Sequence, residues 1–305
     1  MIRIEKIRIY NYHKEQEMSD SSYRLISGKE ISAALREKIA EKVSSHVASG
    51  GIRPGLAVVL VGDDPASAVY VRNKHRACEE VGIYSEVIRL PESTSQDELL
   101  QLIADLNVNE SINGILVQLP LPKHIDKETV INAISQDKDV DAFHPVNIGK
   151  VMTGGYKFAP CTPAGVMYML KYCNIKTDGA SCVVIGRSDI VGKPMAMLML
   201  HSGATVTICH SRTKNLAEVC RTADILISAV GRAGFVTEDM VKEGAVVVDV
   251  GINRRDDGKL TGDVAFDEVA PKCSYITPVP GGVGPMTIAM LLMNTLAAAG
   301  IELPD

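Results

Sequence analysis

The chain has 305 residues, enough for one large domain or two smaller ones, and 46% hydrophobic with 23% charged residues is ordinary for a globular protein. A formal net charge of -5 argues against nucleic acid as the main partner, because that role favours a basic face. The sequence has no run of about 18 apolar residues, so it offers no candidate for a membrane-spanning helix.

The number and spacing of the cysteines and histidines indicate the cellular compartment of the protein and whether it binds a metal. The seven cysteines are scattered, odd in number and free of Cys-x-x-Cys spacing, which indicates reduced thiols in a cytoplasmic protein. The seven histidines show no His-x-x-x-His or Glu-x-x-His pairing. The sequence therefore predicts no metal site.

Residues 1–23 differ from the rest of the chain. Met1–Lys14 carries four basic residues and one acidic residue, and Glu15, Glu17 and Asp20 follow. A mitochondrial transit peptide would be rich in Arg and Ser and poor in acids, so we favour a loose extension, or a true start at Met18.

The next segment alternates short apolar strands with helices. A capping box at Ser27–Glu30 opens an amphipathic helix that ends near Gly50–Gly51. The elements that follow are strands at 55–61, 84–90 and 114–118 and helices at about 66–81, 95–107 and 126–135. This βαβαβ pattern is typical of a parallel sheet covered on both faces, and hence of the α/β class.

A second α/β unit follows an irregular segment, 136–163, which we interpret as the floor of a cleft between two lobes. Its predicted strands start at 181, 204, 225 and 245. A long apolar C-terminal helix is expected to return to the first lobe. We predict a substrate domain formed by 24–143 and 285–305, and a Rossmann-like nucleotide-binding domain formed by 144–284.

Tyr70 and Lys74 lie four residues apart on the predicted helix that follows the 55–61 strand. They therefore share one helix face, near the strand end where open α/β sheets bind ligands. An aromatic ring beside an amine suits a flat heterocycle that needs a proton moved. The alternative is a surface Tyr and Lys on an ordinary amphipathic helix.

The predicted nucleotide site begins at Gly186 and Gly192, which lie between a strand and a helix. They do not complete a Gly-x-Gly-x-x-Gly motif, yet they supply the tight turn and helix start that a pyrophosphate needs. After the next strand, where NAD-selective sites carry an acid, the chain has Ser211 and Arg212. These side chains and Arg187 favour the 2′-phosphate of NADP. The alternative is a solvated basic loop, but it would not explain why the acidic residue of NAD-selective sites is missing at this position.

Several motifs occur together and in order. They are Tyr70-x-x-x-Lys74, Val117–Pro122, Asp139–Asp141, Pro160–Pro163, Gly186–Ser188 with Val191–Gly192, His210–Ser211, Asp249–Asn253 and Pro278–Thr287. From about Leu25 to its end, the chain resembles the bifunctional methylenetetrahydrofolate dehydrogenase/methenyltetrahydrofolate cyclohydrolase family. The resemblance implies oxidation of 5,10-methylene-tetrahydrofolate with NADP⁺, hydrolysis of the methenyl product to 10-formyl-tetrahydrofolate, and a homodimer.

The resemblance also implies the site residues. The catalytic residues would be Lys74, Tyr70, Gln118 and Asp141. Substrate binding would use these four with Val117, Leu119, Pro280, Gly281, Gly282, Val283 and Gly284. NADP binding would use Gly186, Arg187, Ser188, Val191, Gly192, Ser211, Arg212 and Ile252. In chemical terms, Lys74 would exchange protons, Gln118 would orient its amine, Tyr70 would stack on the ring system and Asp141 would accept pterin N–H groups.

Two positions carry open questions. Most family members have Gly where this chain has Ala142. If that glycine takes a positive φ in the family, the alanine would shift the Asp141 loop slightly. Asp263 belongs to a family-like segment, but the sequence assigns it no role. Two other functions remain open, a monofunctional NAD(P)-dependent dehydrogenase of the same architecture and a non-catalytic folate- or nucleotide-sensing module.

Overall fold

A computed structural model describes residues 23–255 and 257–304. The predicted N-terminal extension therefore lies outside the described residues, apart from Tyr23. By compactness the described chain forms two units. Unit 1 comprises residues 23–32 and 162–287, and unit 2 comprises residues 33–161 and 288–304. The domain boundaries proposed from the sequence stay predictions.

Unit 2 is built on a three-stranded parallel sheet of order β3-β2-β4. The strands are β2 (Gly55–Val61), β3 (Tyr84–Leu90) and β4 (Gly114–Val117). Every residue of β2 and β4 is buried, as expected for strands covered on both faces, and β3 forms a half-exposed edge. The helices are α1 (Gly28–Ala48, shared with unit 1), α2 (Pro65–Val81), α3 (Gln96–Val108), α4 (Lys127–Ala133) and α5 (Pro145–Thr153).

Unit 1 is built on a six-stranded parallel sheet of order β1-β11-β8-β7-β5-β6. Its strands are β1 (Arg24–Leu25), β5 (Ser181–Ile185), β6 (Thr205–Cys209), β7 (Ile225–Ser228), β8 (Ala245–Asp249) and β11 (Cys273–Ile276), and β9 (Asn253–Arg254) pairs with β10 (Leu260–Thr261). The helices are α6 (Cys161–Tyr172), α7 (Gly192–His201), α8 (Leu216–Cys220), α9 (Phe266–Val269) and α10 (Val283–Ala298, continuing into unit 2). Short 3₁₀ turns cover Glu238–Met240 and Ala270–Lys272.

The sheet of unit 1 has a topological switch point between β5 and β7. The chain runs from β5 outward to β6, and it then returns to add β7 and β8 on the other side of β5. The carboxyl ends at a switch point form the crevice where open α/β sheets bind ligands. The predicted α/β class with a Rossmann-like unit is confirmed.

The segment 136–163 is more regular than its sequence suggested, because it contains α5. Pro145 occupies the first turn of this helix, and the ring of His144 accepts a hydrogen bond from the Val146 N–H. Gly154 closes the helix in the left-handed conformation. The short strands β1, β9, β10 and β11 also lacked a sequence signal. Among the described residues, no helix is both long and apolar enough to span a bilayer.

Candidate active site

Lys74 lies on the inner face of α2, a helix that is capped at both ends. Asp64 caps the start of α2 by accepting the Ser67 N–H, and Gly82 ends the helix in the left-handed conformation. The Lys74 side chain is buried, with 8% relative exposure. Its Nζ donates to Oε1 of Gln118 at 3.1 Å.

Gln118 follows the carboxyl end of β4, and its amide is held in one orientation. Nε2 donates to the Leu119 carbonyl at 2.7 Å, so Oε1 is the end that faces Lys74. The partner of the buried amine is therefore a neutral dipole and not a carboxylate. Such an arrangement orients the amine without fixing its charge by an ion pair.

Tyr70 lies one turn before Lys74 on α2, and its ring is 41% exposed. The shared helix face thus runs from an exposed aromatic ring to a buried amine. A ring that is open on one side could stack on a flat ligand while the amine reaches the inner edge of that ligand, as the sequence predicts.

Asp141 belongs to a turn that is organised by its neighbour Asp139. The buried Asp139 carboxylate accepts hydrogen bonds from the Phe143 N–H at 3.2 Å, the His144 N–H at 2.8 Å and Asn147 Nδ2 at 2.9 Å. Burial raises the pKa of Asp139. Ala142, directly after Asp141, takes a φ of 57°, a left-handed value that glycine adopts more readily than alanine.

The Cys161 thiol contacts this turn and interacts electrostatically with both Asp141 and Lys74. Burial raises the pKa of the Cys161 thiol well above its usual range, the Asp141 charge adds to the rise, and the Lys74 charge opposes it. Both charged side chains therefore lie within electrostatic reach of one sulfur atom. The thiol itself donates to the Val140 carbonyl at 3.4 Å.

Asn294 also supports the Asp141 turn, and sequence reasoning missed it. Its Nδ2 donates to the carbonyls of Val140 at 2.8 Å and Ala159 at 3.0 Å. A single buried amide within an otherwise apolar helix was the available signal.

A small recess on unit 2 brings together three predicted substrate residues, Val117, Leu119 and Asp141. Its other lining residues are Ile115, Leu116, Val130, Ile131, Ile134, Asp139 and Phe143. The Lys74 amine and the Gln118 amide lie outside this lining. The lining is mainly apolar, and Asp139 and Asp141 are its two carboxylates.

The predicted folate loop Pro280–Gly284 lies in unit 1, with Pro280–Gly282 before α10 and the last two residues in the first turn of the helix. Gly281 has a φ of 101°, and its carbonyl accepts the Lys29 N–H at 2.9 Å. A Cβ on Gly28 would lie 1.8 Å from the Gly282 carbonyl oxygen. The start of α1 therefore packs backbone to backbone against this loop and fixes its course.

The predicted pyrophosphate loop has the close packing that its glycines suggested. A Cβ on Gly186 would lie 2.4 Å from the Ala229 carbonyl oxygen, and one on Gly192 would lie 2.3 Å from the Gly186 carbonyl oxygen. The Ser188 hydroxyl accepts the N–H groups of Val191 at 3.2 Å and Gly192 at 3.3 Å, at the start of α7. The Ser188 side chain thus occupies these two N–H groups, and the feature of this loop that fits a pyrophosphate is its tight, glycine-lined turn.

The predicted 2′-phosphate residues are exposed at the end of β6 and in the β5–α7 loop. Among the residues that the structure describes, the guanidinium groups of Arg187 and Arg212 form no ion pair, and the Ser211 hydroxyl makes no hydrogen bond. The Arg212 N–H binds the ring of His210 at 3.1 Å, which fixes the loop backbone. Two unpaired cations at this edge fit the extra phosphate of NADP. Ile252, predicted to touch the cofactor, is 44% exposed.

Two family models together match most of the chain. Residues 26–141 match the tetrahydrofolate dehydrogenase/cyclohydrolase catalytic domain, and residues 160–302 match the tetrahydrofolate dehydrogenase/cyclohydrolase NAD(P)-binding domain.

Curated relatives and solved structures agree with these matches. The chain is 62% identical to the bifunctional protein FolD of Moorella thermoacetica over 90% of this chain and 98% of that protein. The corresponding Lysinibacillus sphaericus protein is 59% identical over 93% of this chain and all of its own length, 100%.

Among solved structures, the bifunctional FolD enzyme of Campylobacter jejuni has a TM-score of 0.89 and 53% identity, covering 91% of this chain and 99% of that one. The Trypanosoma brucei FolD enzyme, solved with an NADP cofactor and an inhibitor, has a TM-score of 0.87 and 38% identity, covering 91% and 97%. On this evidence, the chain belongs to the tetrahydrofolate dehydrogenase/cyclohydrolase family.

Proposed function

We propose that the protein oxidises 5,10-methylene-tetrahydrofolate to 5,10-methenyl-tetrahydrofolate with NADP⁺ and hydrolyses the product to 10-formyl-tetrahydrofolate. The observation that carries the hydrolytic half is the buried Lys74 amine, which is held at 3.1 Å by the neutral amide of Gln118. Family membership supports both halves, because relatives at 56–62% identity are named as bifunctional enzymes.

The cyclohydrolase step needs protons moved at defined atoms of a cationic substrate. Water must lose a proton as it adds to the one-carbon bridge, and a ring nitrogen must gain one as the ring opens. Lys74 Nζ is the group assigned to this exchange. Its hydrogen-bond partner is the neutral Gln118 amide, and within the described residues Lys74 forms no salt bridge.

The other assigned residues position the substrate. Asp141 accepts hydrogen bonds from the pterin amino and ring N–H groups, and Val117 and Leu119 contact its apolar faces. Tyr70 stacks on the ring system from the exposed end of α2. The assignment of Pro280–Gly284 to the folate rests on the family resemblance.

The dehydrogenase step needs alignment more than acid or base. NADP⁺, when bound, supplies the hydride acceptor. The Gly186–Gly192 loop would hold its pyrophosphate, Ser211, Arg212 and Arg187 its 2′-phosphate, and Ile252 would contact its other half.

A coupled absorbance assay tests the proposal. The protein is mixed with 5,10-methylene-tetrahydrofolate and NADP⁺, while NADPH and the methenyl product are followed separately. We expect NADPH to form while the methenyl signal stays below the NADPH signal, because hydrolysis removes the product. Equal accumulation of both would support the monofunctional alternative, and nucleotide binding without NADPH formation would support the sensing module.

We also propose a homodimer in the cytoplasm. The homodimer rests on the family resemblance, and light scattering after gel filtration measures it directly. Cytoplasmic residence is supported by the thiols, since all seven cysteines are buried and none forms a disulfide within the described residues. A monomer mass at micromolar concentration would contradict the first part.

A further inference from the structure

Asp263, which the sequence left without a role, is a fully buried carboxylate next to the switch-point crevice of unit 1. Five hydrogen-bond donors converge on its two oxygens. Oδ2 accepts from the N–H groups of Val230 at 2.7 Å and Gly231 at 3.1 Å and from the Ser228 hydroxyl at 3.3 Å, and Oδ1 accepts from the Arg232 N–H at 2.8 Å and Asn253 Nδ2 at 3.0 Å. The side-chain oxygens of Asp263 are thus the acceptors in all five of these hydrogen bonds.

These donors come from two loops that leave neighbouring strands. Ser228 ends β7, and Val230–Arg232 follow it, whereas Asn253 lies in the loop after β8. A Cβ on Gly251 would lie 2.1 Å from Asp263 Oδ1, so the backbone after β8 rests directly on the carboxylate. One side chain therefore fixes both loops at the carboxyl edge of the sheet.

Asp249, at the end of β8, is a second buried carboxylate that hydrogen-bonds to the backbone of Asp263 and of the segment after β8. Its carboxylate accepts the N–H groups of Gly251, Asp263 and Val264, each at 2.9 Å. Burial raises the pKa of Asp249 to about 6, and the charge of Asp263 adds to the rise. Two buried carboxylates side by side, with no salt bridge to either in the described parts of the chain, are a costly choice for packing alone.

The two loops lie where one half of a dinucleotide would bind. A dinucleotide straddles the switch point between β5 and β7. If its 2′-phosphate binds Ser211 and Arg212 after β6, its nicotinamide half lies over the ends of β7 and β8. Ile252, the predicted cofactor contact, belongs to the loop that Asp263 holds through Asn253.

Resting on the proposed function, we propose that Asp263 is a positioning residue for the nicotinamide half of NADP⁺. It acts through the loops 229–232 and 251–253. Because the N–H groups of Val230, Gly231 and Arg232 face Asp263, the carbonyl oxygens of the same peptide groups point to the opposite side. There they can accept hydrogen bonds from a carboxamide.

Calorimetric binding to two probes tests this role. NADP⁺ carries both halves of the dinucleotide, and adenosine 2′,5′-bisphosphate carries only the half assigned to Ser211 and Arg212. For Asp263→Asn we expect a dissociation constant for NADP⁺ raised about 10-fold or more, because an NH₂ group replaces an acceptor among five donors. Binding of adenosine 2′,5′-bisphosphate should stay within about 2-fold of the parent protein, since hydrogen-bond losses act only on nearby groups.

The control variant is Asp267→Asn, which makes the same change on an exposed residue four positions away and should alter neither constant. Cyclohydrolase activity measured without nucleotide gives a second readout, which should be retained in Asp263→Asn. If the parent protein shows no NADP⁺-dependent oxidation of the folate, the proposed function is wrong. The role of Asp263 is still tested in that case, because the binding measurements do not use the folate.

If Asp263→Asn does not fold, the variant Asn253→Ala tests the same proposal. This variant removes a single donor to Asp263 and should raise the NADP⁺ dissociation constant about 3- to 10-fold with the bisphosphate unaffected. Unchanged NADP⁺ affinity, or equal weakening of both probes, in whichever of the two variants folds would overturn the proposal.

Discussion

The two candidate sites differ in how completely their side chains are arranged before any ligand binds. Lys74 is buried and hydrogen-bonded to Gln118, whose own amide is fixed by a backbone carbonyl. By contrast, Arg187 and Arg212 are exposed and make no ion pair within the described chain. The first site is organised through side chains, and the second is organised through its backbone.

This difference matches what each site has to do. Proton exchange at a carbon bridge depends on the position of one atom, so holding the amine in place beforehand lowers the barrier. A phosphate group brings its own charge and accepts hydrogen bonds in several directions, so exposed cations can close on it after encounter. We therefore expect substitutions at the first site to act on rate and those at the second to act on affinity.

The largest expected effect is that of Lys74→Met. Removing the proton-exchanging amine should lower the cyclohydrolase rate about 1000-fold, within the usual range for general acid–base groups. NADP⁺ affinity should stay near the parent value. The rate is measured by decay of methenyl absorbance and the affinity by calorimetry.

Lys127→Met is the matched control for this variant, because Lys127 is an exposed lysine of the same unit. It should leave both quantities unchanged. Normal hydrolysis in a folded Lys74→Met protein would remove Lys74 from the mechanism.

The second effect comes from Gln118→Glu, which keeps the shape of the side chain and adds a charge. A carboxylate beside Lys74 would hold the amine as ammonium by charge pairing, so the cyclohydrolase rate near neutral pH should fall about 10- to 100-fold. The sign is specific. A higher pH favours loss of that proton, so the variant should recover rate relative to the parent protein as pH rises.

A pH–rate profile from pH about 6 to 9.5 measures this shift. Gln136→Glu is the matched control, since Gln136 also accepts a hydrogen bond from a lysine, Lys150, at 3.5 Å. A parallel fall at every pH in Gln118→Glu would mean that Gln118 does not orient the exchanging amine.

The sequence anticipated the Lys74 side of this comparison better than its supporting structure. An i,i+4 spacing after a buried strand is a local pattern, so Tyr70 and Lys74 could be placed on one face of α2 directly. Asn294 reaches the Val140 carbonyl from 154 positions along the chain, and no local period encodes such a contact. Tertiary hydrogen bonds of this kind become visible only when the chain is folded.

The same limit applies to elements. Strands β2 to β8 were predicted within about two residues, because apolar runs define them, whereas β1 and β11 of the larger sheet were not predicted. Helix α5 was missed because it spans only 9 residues, too few for an apolar period to be recognised, although caps at His144 and Gly154 mark its ends. The five contacts of Asp263 were also hidden, because four of the donors lie 31 to 35 residues away.

The third effect concerns affinity in unit 1. Arg212→Ala should raise the Michaelis constant for NADP⁺ about 10- to 50-fold, because a charge-assisted contact to the 2′-phosphate is lost. The Michaelis constant for NAD⁺ should hardly change, since NAD⁺ lacks that phosphate. Steady-state oxidation of 5,10-methylene-tetrahydrofolate with each nucleotide measures both.

Lys214→Ala provides the control, because Lys214 is an exposed cation two residues further along the same loop. It should affect NADP⁺ only slightly, through long-range charge. An equal loss of affinity for both nucleotides in Arg212→Ala would show that this guanidinium does not select the phosphate.

The smallest effect is on stability and concerns the turn that carries Asp141. Ala142 has a φ of 57°, where an L-residue costs roughly 1–2 kcal/mol relative to glycine. Ala142→Gly relieves that cost, but it loses a buried methyl group and adds about 0.4–1 kcal/mol of unfolded-state entropy. We expect the free energy of unfolding to change by less than about 1 kcal/mol, with cyclohydrolase activity retained.

Ala159→Gly tests whether that balance comes from the left-handed backbone. Ala159 is also a buried alanine of unit 2, but its φ is not positive, so no strain is relieved there. Its substitution should therefore lower the free energy of unfolding by about 1 kcal/mol or more, and urea denaturation compares the two variants directly. Equal losses in both would mean that the turn holds Ala142 without strain.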